Sequence, residues 1–96
     1  MRLVISEPAR EDLIGIWEYI SPNNPKAANK LMQIFKEKFE LLRDFPYLGR
    51  ERHELFIGSR SLPVDKYIII YQLNDGVLEI VRVRHGSTKL DDLFEI

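Results

Sequence analysis

The stretch KYIIIYQLNDGVLEIVRVR, Lys66 to Arg84, decides the fold. Its first part, Lys66 to Gln72, is unbroken, β-branched and aromatic, so it reads as a central strand covered on both faces. Asn74-Asp75-Gly76 supplies residues that tolerate positive φ and marks a hairpin turn. Val77 to Arg84 then returns antiparallel. The two-residue strand period places Val77, Val81 and Val83 on one face and Leu78, Ile80, Arg82 and Arg84 on the other.

Working towards the N-terminus, Leu55 and Ile57 alternate with Glu54, Phe56 and Gly58, the pattern of an earlier strand. Phe45-Pro46-Tyr47-Leu48-Gly49-Arg50 is a turn punctuated by Pro and Gly. Before it the period is helical. Ala28, Leu31, Phe35, Phe39 and Leu42 form one apolar stripe, with Asn24 as cap and Pro25 in the first turn. Ala9, Leu13, Ile16, Trp17 and Ile20 form another, with Ser6 as cap and Pro8 in the first turn, and Trp17 is expected in the core. The short break at Ser21–Pro25 makes the two helices antiparallel neighbours. Residues 2–5 form a first strand, and Leu90 to Phe94 one amphipathic turn. The order is β-α-α-β-β-β. The expected class is α+β: two layers, an antiparallel sheet with an N-terminal helical hairpin on one face, in one domain over residues 1–96.

Composition removes several classes of function. The longest apolar run, Tyr67 to Tyr71, is far short of the roughly 20 residues of a membrane span. The N-terminus has no signal-peptide pattern, so a cytoplasmic location is expected. With no cysteine, thiol nucleophiles, disulfides and zinc–thiolate sites are excluded; two distant histidines leave no metal motif, and no cofactor is expected. A net charge of −1 gives no bulk attraction for nucleic acid, so any such contact is expected only through a target or partner complex.

The cations are nevertheless clustered. Arg60, Lys66, Arg82, Arg84 and His85 lie on or beside successive strands and form the candidate target-binding set, suited to phosphate or an acidic peptide. Arg82 and Arg84 are expected on the open sheet face; the alternative is pairing with a helix carboxylate such as Glu11 or Glu18. Ser87 is expected to be too close in sequence to His85 to meet it. Glu51 and Glu54 beside Arg50, Arg52 and His53 read as an ion-paired surface. No catalytic residue is assigned.

Five segments together carry a resemblance. Ala9–Ile20, Asn24-Pro25-Lys26-Ala27-Ala28, the Phe45–Arg50 turn, Lys66–Tyr71 and Val81-Arg82-Val83-Arg84-His85-Gly86 resemble, in order, the motifs of ParE-type toxins of the RelE/ParE superfamily. The resemblance implies a β-α-α-β-β-β toxin that inhibits DNA gyrase without being an enzyme and is neutralised by a ParD-like antitoxin. The superfamily's other branch cuts mRNA on the ribosome. In an ungapped reading that branch's arginine falls on Thr88 and its C-terminal tyrosine on Phe94, while Lys66 replaces another arginine and keeps the charge. Thr88 also departs from the ParE habit of an arginine near the His-Gly pair. Gyrase inhibition therefore stands first, ribosome-dependent mRNA cleavage second. A module that only holds its antitoxin stands third.

Overall fold

The structure is a computed structural model and describes residues 1–94. Strand β1 (Arg2–Ile5) leads into helix α1 (Glu7–Ile20) and helix α2 (Pro25–Asp44); β2 (Arg50–Glu51), β3 (Ser59–Val64), β4 (Tyr67–Asn74) and β5 (Val77–His85) follow, then a 3-10 turn at Leu90–Leu93. The helices start where short polar side chains satisfy free N–H groups: Ser6 accepts from Ala9 N at 3.1 Å and Asn24 from Ala27 N at 3.1 Å. Among the described residues no helix is long and apolar enough to cross a membrane.

The two-layer α+β class and the β-α-α-β-β-β order hold, with the two-residue β2 added before the last three strands. The sheet, ordered β1-β5-β4-β3-β2, is mixed rather than wholly antiparallel. β1 runs parallel to β5, from Arg2 opposite Val77 to Ile5 opposite Ile80, and the other pairs are antiparallel. The cause is one extra reversal. The chain turns back between β2 and β3, so the last strand ends up pointing the same way as the first.

That reversal occupies the segment expected to be a strand. Residues 52–58 form tight turns instead, with Leu55 N donating to Arg52 O at 2.9 Å and Gly58 at φ 87. Leu55 is buried while Ile57 is exposed, so their alternation reflects a looped cover. This loop lies over the sheet face away from the helices: Arg52 Nη1 donates to Ser61 Oγ at 3.1 Å, and Ser61 stands opposite the fully buried Ile70. The Phe56 and Phe94 rings, 5.0 Å apart, bring the C-terminal segment onto the same cover. The central strand is thus buried on both faces, as its unbroken apolar run requires.

On the helical side, Leu31, Phe35, Phe39 and Leu42 of α2 pack on Val64, Ile69, Tyr71, Leu78, Ile80 and Val83. A bulge at Val81 changes the faces of β5. Tyr71 pairs with Ile80 but Ile70 with Arg82, so Leu78 and Ile80 face the helices before the bulge and Val83 and His85 after it. The expectation that Leu78, Ile80, Arg82 and Arg84 share one face is corrected by this one residue. Trp17 is corrected too. It is 40% exposed, and its Nε1 donates to Asn29 Oδ1 at 2.9 Å, so it leans across to α2 instead of entering the core. Of the two helices α2 supplies nearly all the buried side chains; of α1, Ala9 alone is fully buried, so much of its apolar stripe is only half covered.

Candidate functional site

The five expected cations do not converge on one face. Arg60 stands opposite Tyr71 on the helical side, at the far end of the sheet. Its Nη1 donates to Gly49 O at 2.7 Å, its Nη2 meets Glu51 Oε1 at 3.2 Å, and its guanidinium lies 5.0 Å above the Tyr47 ring. The Tyr71 hydroxyl donates to Pro46 O and accepts from Gly49 N, each at 2.8 Å. Burial raises the Tyr71 pKa, against the opposing pull of the Gly49 N–H and the Arg60 charge, so the phenol stays protonated and keeps donating. Arg60 and Tyr71 together hold the 45–50 turn. The neighbouring surface is ion-paired as expected, with Glu51 also 3.3 Å from His53 and Arg52 3.0 Å from Glu54.

Arg82 and Arg84 are held by a helix carboxylate, that of Asp12 and not of Glu11 or Glu18. β1 ends at Ile5, opposite Ile80; Ser6 Oγ donates to Val81 O at 2.8 Å, and past that bond no strand among the described residues covers the edge of β5. Asp12 of α1 fills it. Its Oδ2 accepts from Val83 N at 3.0 Å and from Arg82 Nε at 2.8 Å; Oδ1 accepts from Arg82 Nη2 at 2.9 Å and lies 3.4 Å from Arg84 Nη1. Both arginines leave the sheet on the face away from the helices, as their opposite partners Ile70 and Ile68 show, and reach round the edge. Burial pushes the Asp12 carboxyl up. The Arg82 hydrogen bond, the Val83 N–H and the two guanidinium charges outweigh it, and the pKa settles below the ordinary aspartate value. The same hydrogen bond raises Arg82. A signal for Asp12 exists in the sequence: with Ala9, Leu13 and Ile16 it falls at helical spacing on the apolar side, where a carboxylate needs a cation.

Lys66, Arg84 and His85 do share a site, a cleft of ≈ 990 Å³ between the helical hairpin and the end of the sheet. Ile16, Leu31, Ile34, Tyr67 and Val83 make its apolar floor. Gly86 N donates to Lys66 O at 2.7 Å, pinning the β3–β4 turn beside the end of β5. Contrary to expectation, Ser87 does meet His85: the imidazole Nδ1 lies 2.8 Å from Ser87 Oγ and accepts from Ser87 N at 3.1 Å. Nδ1 is therefore the unprotonated nitrogen of the neutral ring, and Nε2 carries the hydrogen. The His85 ring stands edge-on to Tyr67 at 5.6 Å. Among the described residues no group of His, Asp and Glu side chains is arranged to hold a metal ion.

The fold, a helical hairpin laid on a mixed sheet, is shared with a solved structure described as the chromosomal ParDE TA system from P. aeruginosa, which superposes with a TM-score of 0.77 over 88% of this chain and 95% of that one, at 22% identity. The family model for the ParE toxin of the type II toxin–antitoxin system parDE matches residues 3–90, and the chain belongs to that family. Two toxins of Caulobacter vibrioides are similar over most of their length. Toxin ParE3 is 30% identical over 90 residues, 93% of this chain and 90% of its own; toxin RelE2 is 32% identical over 79 residues, 82% and 88%.

Proposed function

We propose that this ParE-family toxin acts in the cytoplasm by inhibiting DNA gyrase, and that a ParD-like antitoxin neutralises it, with residues 1–96 working as one toxin domain. The observation that carries the reading is the commitment of the sheet arginines. Arg60 is tied to the Gly49 carbonyl and Arg82 to Asp12, so neither is free to stabilise charge on a scissile phosphate. Phe94, at the position of the nuclease branch's tyrosine, packs on Phe56 and has no proton to give. Both facts support a toxin that works by binding. Lys66, Arg84 and His85, which share the cleft, are the side chains offered to the target; Arg60 and Arg82 act on it only by holding the scaffold. Purified gyrase with relaxed plasmid tests the proposal. Loss of supercoiling with accumulation of linear DNA is expected, and unchanged supercoiling at excess toxin would refute it.

One observation favours a second reading. His85 is exposed, and its Nε2 makes no hydrogen bond among the described residues, the position a proton donor in ribosome-dependent mRNA cleavage would need. A translation extract separates the readings: cleaved message that disappears with His85→Gln supports the nuclease, and intact message excludes it.

A further inference from the structure

The mouth of the cleft gathers hydrogen-bond donors in excess of what the fold uses. Lys66 sits on the exposed β3–β4 turn and Lys30 on the opposite wall, and neither forms an ion pair among the described residues. Arg84 keeps one 3.4 Å contact to Asp12 and is 36% exposed, so most of its donors remain available. His85 presents Nε2–H because Ser87 N–H occupies Nδ1. The acids on the same lining are Glu11, Asp12 and Asp65. Asp12 is already answered by Arg82 from outside the cleft, so the cations at the mouth outnumber the free carboxylates. Beside these donors stand aromatic rings: Tyr67 on the floor, His85 at the rim and Tyr19, 84% exposed, on the helical wall.

Clustered cationic donors next to exposed rings fit one ligand chemistry, a phosphate joined to a flat base. We propose that this cleft is a binding site for a nucleoside phosphate, with the phosphate taken by Lys66, Arg84 and His85 Nε2–H and the base laid against the Tyr19 side. The cleft volume of ≈ 990 Å³ is on the scale of small-molecule pockets and exceeds the needs of a single nucleotide. The ligand is either a free nucleotide or the terminal unit of a single strand. The proposal is of binding alone, with no bond made or broken, and it does not depend on gyrase being the target.

The test is amide chemical-shift titration of the full chain with thymidine 5′-monophosphate, with inorganic phosphate and with an oligothymidylate. Saturable shifts are expected at residues 66–67 and 84–88 and on α1 near Tyr19. Lys66→Ala, at an exposed turn, is expected to weaken nucleotide binding about tenfold and Tyr19→Ala to weaken the nucleotide but not inorganic phosphate. Oligothymidylate binding as tightly as the mononucleotide, or more tightly, identifies a strand end as a ligand, and mononucleotide binding without oligothymidylate binding identifies the free nucleotide; either supports the site. Absence of saturable shifts at millimolar nucleotide, or affinity unchanged by Lys66→Ala, overturns it. Gyrase inhibition without nucleotide shifts would sink the site alone, and nucleotide shifts without gyrase inhibition would sink the gyrase reading alone.

Discussion

Replacing Asp12 probes the joint between the two layers. Asp12→Ala would leave the Val83 N–H without its partner and strip Arg82, only 22% exposed, of its carboxylate. Breaking a buried pair costs about 3–5 kcal/mol. The Asp12 side chain is 7% exposed, but both guanidiniums reach water, which screens them and places this site near 2–3 kcal/mol. At about 4–8 °C per kcal/mol for a domain of this size, the melting temperature should fall by roughly 10–20 °C. Asp12→Asn keeps an acceptor for Val83 and should lose about half as much. A double-mutant cycle with Arg82→Ala isolates the pair, with an expected coupling of about 1–2 kcal/mol. Acid gives an independent check. Because the folded pKa lies below the ordinary value, the carboxylate's contribution is complete above about pH 4 and is lost as pH falls through the folded value. Wild type should therefore lose its advantage over Asp12→Asn in strong acid. Thermal melts of Asp12→Asn and wild type that coincide within about 2 °C at neutral pH would refute the assignment.

Gly49→Ala should destabilise the 45–50 turn, because a Cβ there would stand 2.5 Å from Tyr71 Oη and 2.8 Å from Ser61 O; a melt lowered by several degrees is expected. Tyr71→Phe leaves the Gly49 N–H and Pro46 O unpaired and should cost about 1–3 kcal/mol, read by urea denaturation. Trp17→Ala should cost only about 1 kcal/mol, well under the roughly 3–5 kcal/mol of a core tryptophan, which equilibrium unfolding distinguishes. Arg82→Glu should lower the melting temperature sharply and Lys66→Glu hardly at all, while Lys66→Glu should reduce growth inhibition; a destabilised Lys66→Glu would show that the turn lysine is structural.

The helices, their caps, the central hairpin and the two-layer class were legible in the sequence. Each rests on a local cause: the 3.6-residue stripe of α2, side-chain oxygens at Ser6 and Asn24, and the turn chemistry of Asn74-Asp75-Gly76. The motifs also carried the family, since they are local strings. Tertiary structure alone decided the rest. Whether 52–58 pairs as a strand or turns back depends on what the far face of the sheet needs covered, and that reversal set β1 parallel to β5. A single extra residue at Val81 exchanged the faces of β5, because a two-residue period magnifies any slip into a change of side. The five cations were legible as a cluster, but their uses were not. Guanidiniums on long, flexible stems go to whichever acceptor the packing leaves unpaired: for Arg60 the Gly49 carbonyl, for Arg82 the carboxylate of Asp12, 70 residues away along the chain.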